Sequence, residues 1–574
     1  MARNYYSTTD VLVIGGGGAG MRAAIEAAHS GCRVIVANKG PVGRSGTTPM
    51  AMEAFQCVCS PDDSEELHFR DTVEGGRFLG DENLIRVLVG NTRQRVQDLE
   101  NFGVRFKRKS DGSFEPMHHP GQAVPRTLFI QGGGFGMLAG LVREAKKSSK
   151  IEIRSDVFVF KLLADREGLP SGAIYLDLRD GIVKAIYSKA VVLATGGYEG
   201  LWAFNDASST TCGDGIFLAY QLGAKLVDME MLQFYPTIVI YPPAVKGTLF
   251  QYELVINPEM LGGRLLNGKG DLFFEGMPLR DALIRAVWRE VQMGRGTEHG
   301  GVFIDLTQTR KTREELTQAL EKWQPNQFHY LKDMGVDLRD MRVEVAPHAH
   351  FTMGGIAIDE QARTTIPGLW AAGEVAGNLH GANRVSGNAL AETQVYGVLA
   401  GASAAAFAKN KETPAVQNFS AEGQHAEVLL NGLKNWSKQA FRPFQIRKRL
   451  QEIMWSSCGV ERDEEGLERG RAEVQKLARE AFPPIAINQP LTPSSSLQLG
   501  AYPQEIQEAL EVRMMLALSS LILDSAFLRR ETRGHHMRLD YPHGEDVVKH
   551  TFLVWGREPW QEAVRRESPS FWKK

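Results

Sequence analysis

The sequence predicts an α/β chain: a Rossmann-like dinucleotide-binding domain interrupted by an inserted α+β capping domain and followed by a C-terminal helical domain. Three observations carry this reading. Residues 10–39, DVLVIGGGGAGMRAAIEAAHSGCRVIVANK, form a strand, glycine turn, helix and strand in one unit. Two later apolar runs, AVVLA at 190–194 and LWAA at 369–372, also stop at glycines. Between them the texture changes at about 238 and again at 347, and 574 residues are too many for one hydrophobic core.

In the first unit Gly15, Gly17 and Gly20 supply G-x-G-x-x-G, with Gly18 and Ala19 inside the turn, and 21–29 then reads as an alanine-rich helix. Such glycines let backbone approach a pyrophosphate, and the helix start offers unpaired N–H groups and a positive dipole end. The plainer alternative is a turn that serves only strand-to-helix packing. Asn38 and Lys39 stand where an acidic ribose ligand is usual, so this loop alone leaves NAD and FAD both open.

A formal charge of −2 without basic runs gives no electrostatic reason to expect nucleic acid or an anionic membrane surface. The five cysteines, Cys32, Cys57, Cys59, Cys212 and Cys458, contain no C-x-x-C pair. They read as reduced thiols of a cytoplasmic protein and cannot obviously ligate an iron–sulfur cluster. MARNYYSTTD shows neither an apolar signal core nor a twin arginine, so secretion is not expected, and the apolar stretch at 514–528 is shorter than the ~20 residues a bilayer helix needs, so it reads as a buried helix.

Along the chain, GPVGRSGTTPMAM brings Ser45, Gly46 and Thr47 into a loop suited to a second backbone approach to a cofactor. Apolar spacing predicts helices over 82–102 and 136–147. Between them His118 and His119 occupy a Pro/Gly loop that reads as a solvated turn in preference to a metal pair. Residues 151–192 are β-rich, Asp214 opens a helix after Gly213, a charged helix covers 279–293, and small residues make 388–405 helical. The expected domains are 1–237 and 346–410 for the two parts of the nucleotide-binding domain, 238–345 for the cap, 411–530 for the helical domain, and a polar, irregular tail over 531–574.

Taken together, VIGGGGAGMRAAIEAA at 13–28, VVLATGG at 191–197, TTCGDGIFLA at 210–219 and DMEMLQFYPT at 228–237 resemble a known family. LRDALIRAV at 279–287, HAHFTMGGI at 348–356, GLWAAGEVAGNLHGANRVSGNALAE at 368–392 and RRETRGHHMRLDYP at 529–542 continue it in order. The family is the flavoprotein subunit of succinate dehydrogenase and fumarate reductase, with L-aspartate oxidase among its relatives. The resemblance implies FAD and makes Asn38 and Lys39 ordinary. It implies cofactor contacts from Ala194, Thr195, Gly196, Asp214, Gly373, Glu374, Asn388, Ala389 and Leu390, with a helix N-terminus favouring negative charge on the reduced flavin. It also implies that Arg280 gives or takes a proton, and that His350 and Arg384 hold substrate carboxylates, Arg384 reaching the cofactor as well. Alone, each has a plainer reading: an ion pair with Asp281, a core histidine, a loop buttress. Arg533 and His535 either touch the cofactor or tie the helical domain to the flavin domain, and the interface is the favoured reading.

Departures from the family matter equally. Gly46 stands where covalent members attach FAD through a histidine, so FAD is expected to be non-covalent, which leans toward reduction. Met50 and Met52 fall near the expected flavin edge. Tyr235 replaces a histidine and can still donate one hydrogen bond to a carboxylate. Glu253 is the candidate substrate-side glutamate, while Glu259 and Leu261 stand where an arginine and a glutamate would feed Arg280. That proton supply is broken or rerouted.

The leading reading is an FAD-dependent oxidoreductase acting on the CH–CH bond of a small carboxylate. Electrons would pass to or from an iron–sulfur protein subunit, and any membrane contact would come through partners. The alternatives are a related flavoenzyme on another acid or thioester, including an L-aspartate oxidase-like one, and an electron-transfer module with a vestigial site. Retention of Arg280, His350 and Arg384 argues against the last.

Overall fold

A computed structural model describes residues 5–52, 54–413, 442–481 and 503–564. Its largest sheet contains β1 (Tyr6–Ile14), β2 (Val34–Ala37), β3 (Ile151–Arg154), β4 (Val157–Ala164), β5 (Pro170–Asp177) and β6 (Ile182–Leu193), in spatial order β3-β2-β1-β6-β5-β4. Val11, Leu12 and Val13 of β1 are fully buried, as in a parallel strand covered on both faces. Further along the chain come β7 (Leu232–Tyr241), β8 (Val343–Thr352), β9 (Leu369–Ala371) and β10 (Lys549–Leu553). The helices that matter for the site are α1 (Gly18–His29), α2 (Tyr252–Val255), α3 (Arg280–Gln292), α4 (Asn388–Lys409) and α5 (Pro503–Leu528).

Register aligns the carboxyl ends of four parallel strands. Ile14 pairs with Ala37 and with Leu193, and Leu193 pairs with Ala371 of β9. Ligands of open α/β sheets bind in the crevice outside such ends. α4 lies on α1, and a Cβ at Gly401 would come within 2.3 Å of the Ala23 carbonyl oxygen, so the two helices cross more closely than a side chain there permits.

β7 and β8 pair antiparallel, Tyr235 opposite His348, and join Val302–Asp305 and Arg264–Leu266 in a second sheet. That sheet carries its own apolar core, including Val239, Leu254, Leu283 and Val345. β7 runs through position 237 and β8 through 345, so the chain enters and leaves this unit along paired strands. The helices at Glu82–Asn101 and Gly133–Ala145 lie close to their expected spans, and the stretch at 514–528 belongs to the longer α5. Of the expected helical domain, 414–441 and 482–502 lie outside the described residues, as does the end of the tail.

Two expectations are corrected. The tail is not irregular throughout: β10 pairs with Leu226–Val227, Phe552 opposite Val227, and forms a hairpin with Trp560–Ala563. Its partner lies over 300 residues away, so no local pattern announced it. Arg529, 1% exposed, anchors this end of the chain through Asp228 and Glu531, both at 2.9 Å, and Glu230. The loop at 118–119 is also only half solvated. His118 is exposed, but His119 is 1% exposed, and no group of three or more potential metal ligands occurs among the described residues.

Candidate active site

A cavity of about 400 Å³ opens at the aligned strand ends. Of the residues expected at a cofactor, Gly15, Gly17, Gly18, Ala19, Asn38, Lys39, Ser45, Gly46, Thr47, Ala194, Thr195, Gly196, Asp214, Gly373, Glu374, Arg384, Ala389 and Leu390 line it. So do Met50 and Met52. Two do not. Gly20 is required by packing, because a Cβ there would lie 1.9 Å from the Gly15 carbonyl oxygen. Asn388 is fully buried beneath the wall, bonded to His68 Nε2 at 3.0 Å and Thr72 Oγ1 at 3.1 Å.

Local chemistry shapes the turn. A Cβ at Gly15 would fall 2.1 Å from the Ala194 carbonyl oxygen, and the Asn38 Oδ1 accepts the Gly16 N–H at 2.8 Å. Lys39 is not a free cation for the cofactor: its Nζ lies 3.1 Å from both Asp214 and Glu511, tying the turn to α5. The buried Thr47 and Thr195 hydroxyls and Asp214 Oδ1 line the cavity without hydrogen-bond partners among the described residues. A cradle without Cβ atoms, ringed by unpaired hydroxyl and carboxylate groups, fits the pyrophosphate and hydroxyls of FAD.

Glu374 accepts the Thr352 N–H at 3.1 Å. Beside it Glu199, fully buried, has neither oxygen paired with a donor among the described residues. Burial, then the neighbouring Glu374 charge, pushes the Glu199 carboxyl far above the ordinary range.

At the far end of the cavity, Arg280 is 7% exposed and fully engaged. Its Nη1 donates to Gln233 Oε1 at 2.9 Å, and its Nη2 to Glu253 Oε1 and Ser386 Oγ, both at 3.2 Å. The Tyr235 hydroxyl donates to Glu253 Oε2 at 2.7 Å. Tyr235 lines the cavity, and the one donor expected to serve a substrate carboxylate is bonded to Glu253 in this structure. Glu253 does not line the cavity. Burial works to raise its pKa, but Arg280, then His119 and Tyr235, bring the carboxyl below its usual range.

Arg384 contrasts with Arg280. It is 6% exposed, lines the cavity, lies 4.4 Å over the Phe351 ring, and has no carboxylate within salt-bridge reach among the described residues. Its Nη2 donates to His350 Nε2 at 3.2 Å, and His350 Nδ1–H donates to Asp206 Oδ2 at 2.8 Å, which defines the tautomer. Burial, then the like charge of Arg280, pushes the Arg384 guanidinium down to about 9.

Sequence reasoning missed Gln233, Asp206, Ser386, Glu199 and Glu511. Gln233 adjoins the recognised Phe234-Tyr235 and Ser386 adjoins Gly387-Asn388, so both had a neighbouring signal. Asp206, Glu199 and Glu511 had none. Arg533 and His535 lie at the interface as expected: Arg533 bonds the Arg77 carbonyl at 3.0 Å, and His535 bonds Asn383 Oδ1 at 3.0 Å.

The family described as an FAD binding domain matches residues 10–390, and the fumarate reductase flavoprotein C-terminal family matches 447–568. Fold and site thus define an FAD-dependent oxidoreductase, and the choice between NAD and FAD falls to FAD. The chain belongs to the flavoprotein-subunit family of fumarate reductases and succinate dehydrogenases. It is 36% identical over 558 residues to a subunit of the fumarate reductase (CoM/CoB) of Methanothermobacter marburgensis, covering 95% of this chain and 96% of that protein. An uncharacterized FAD-dependent oxidoreductase of Methanocaldococcus jannaschii is 35% identical over 569 residues, covering 97% and 98%. A solved variant of Escherichia coli quinol fumarate reductase superposes with a TM-score of 0.86 at 29% identity, covering 97% of each chain. Among the described residues no helix is long and apolar enough to cross a membrane.

Proposed function

We propose that this chain interconverts a small unsaturated dicarboxylate of the fumarate type and its saturated counterpart, exchanging electrons with an iron–sulfur subunit. The observation that carries this is Arg384: a buried guanidinium facing the cavity with no carboxylate of its own, beside a second guanidinium that is already neutralised. Such a cation calls for an anion from the ligand. His350, buttressed by Asp206, fixes the orientation of the Arg384 fork.

Bound FAD would supply or accept a hydride at one substrate carbon, and Gly15, Asn38, Thr195 and Gly373 at the strand ends would hold it. Arg280 delivers the proton to the neighbouring carbon, and charge that builds there is stabilised by the two guanidiniums in a site screened from water. Arg280 is the first residue of α3; burial works to lower its pKa, but Glu253, then Tyr235 and Tyr252, hold the guanidinium above its ordinary range, so proton release requires the strongly basic carbon that hydride delivery creates. Gly46 has no side-chain atom for a covalent link to FAD. An iron–sulfur partner is supported by the isolated cysteines of this chain and by the subunit designation of its relatives.

Reoxidation of a reduced viologen dye by fumarate under anaerobic conditions tests the reading, with dye reduction by succinate as the reverse reaction. Tyr235 favours a second reading on another acid, since its hydroxyl is spent on Glu253. Turnover with L-aspartate and none with fumarate would select that alternative.

A further inference from the structure

The loop that follows α5 lies directly on the loop that carries Arg384. The His535 N–H donates to the Ala382 carbonyl at 3.0 Å, and a Cβ on Gly534 would fall 2.2 Å from that same oxygen, so only glycine lets the two loops sit this close. This brings the buried His535 ring onto Asn383, the neighbour of Arg384. From there hydrogen bonds run without a break to Arg280. His535 Nε2 bonds Asn383 Oδ1 at 3.0 Å, Gln233 Nε2 bonds the same oxygen at 3.2 Å, and Gln233 Oε1 bonds Arg280 Nη1 at 2.9 Å. Gln233 Nε2 also reaches the Arg384 carbonyl at 2.9 Å, so one amide touches both arginines.

The direction of every bond in this path is dictated by groups at its edges that cannot reverse. The Phe234 N–H can only donate, and it meets His535 Nδ1 at 3.3 Å, which leaves the ring proton on Nε2. Backbone carbonyls can only accept. Gly75 takes Asn383 Nδ2 at 2.9 Å and Arg384 takes Gln233 Nε2, which orients both amides. Arg280 can only donate, in agreement with Gln233 Oε1 facing it. An imidazolium would break the path at its first bond, because its Nδ1 could no longer accept; burial, then the Arg280 charge, holds His535 well below the ordinary range and keeps it neutral. Gln233, Asn383 and His535 are all buried, and none of them lines the cavity.

We propose that His535 is a positioning residue for Arg280, acting through Asn383 and Gln233, so that the C-terminal region sets the angle of the proton-delivering guanidinium as well as closing the fold. This rests on the reading of Arg280 as proton donor. Glu253 and Ser386 hold Nη2 while Gln233 holds Nη1, so a turn of the Gln233 amide tilts the plane of the fork. Without the His535 donor, Asn383 Oδ1 keeps one partner in place of two, and the Gln233 amide loses the fixed neighbour that sets its angle. Reaction rates depend steeply on such placement, since a shift of about 1 Å can cost ~100-fold. No proton or electron moves along the path; it fixes geometry alone.

Kinetics on the assembled, FAD-loaded enzyme test this. His535→Phe should lower kcat roughly 10-fold, with KM and FAD content unchanged and an enlarged solvent deuterium isotope effect, because the proton step slows while the carboxylate site is intact. His535→Gln, whose amide can make both bonds, should recover kcat to within about threefold of wild type. Gln233→Met removes the link itself, so adding His535→Phe to it should lower kcat by less than about twofold more. Full additivity, wild-type kcat in His535→Phe, or no recovery in His535→Gln would each overturn the proposal. Should His535→Phe not fold, 15N-labelled histidine reads the path from its other end: the His535 Nε2 resonance should move on Gln233→Met, and indifference there would overturn the link. A wild-type enzyme inactive on every dicarboxylate would sink the functional reading instead, while the resonance still decides whether His535 and Gln233 are coupled.

Discussion

Arg280 and Arg384 share one chemistry and differ in role because their neighbours differ. Arg280 is held by Glu253, Gln233 and Ser386, so its position is preorganised and its charge is balanced. Arg384 has only His350 as a polar side-chain partner among the described residues, and it keeps donors for a ligand. Replacing Arg384 with alanine should raise KM for the dicarboxylate by roughly 10- to 100-fold, the loss of a charge-assisted hydrogen bond, as read from initial rates. By contrast, Arg280→Lys should abolish turnover while the flavin absorbance of the purified protein is retained, since the proposed mechanism asks Arg280 for a proton and not for a cofactor contact. Both arginines and His350 were legible in the sequence because each sits inside a recognisable motif. Asp206 and Glu199 were not, because their meaning depends on what lies opposite after folding.

At the scale of elements, the cofactor site depends on close approaches that only glycine permits. α1 presents alanines to α4, and at Gly401 the backbone of α1 lies where a Cβ would go. Gly401→Ala should therefore cost about 1–3 kcal/mol in a urea unfolding titration, with loss of FAD as the helices separate. The strands of this region were legible as apolar runs ending in glycine, because buried parallel strands need little else. The cap was legible as a change of texture, whereas β7 and β8 as its paired entry and exit were not. Register between strands more than 100 residues apart follows from tertiary packing, which no local pattern encodes.

Across the whole molecule, the C-terminal region closes on the flavin domain through buried charge. Arg529 is flanked by Asp228, Glu230 and Glu531, all buried. Arg529→Met should destabilise the protein by ~3–5 kcal/mol, measured by denaturant unfolding, because it strands carboxylates in the interior. FAD, lacking a covalent link, should pass into the supernatant on acid precipitation; yellow remaining in the pellet would contradict this. The sequence by itself determined the class of fold, the glycine turn and the FAD family, and it singled out the two arginines as candidates. These depend on backbone requirements and on motifs that are contiguous in the chain. Only the tertiary structure decided that the Tyr235 hydroxyl bonds Glu253, that Lys39 pairs with Asp214 and with Glu511 of α5, that the tail adds a strand, and that His119 lies buried. Each of those depends on which distant side chains burial forces together, and electrostatics in a low-dielectric interior is set by such neighbours.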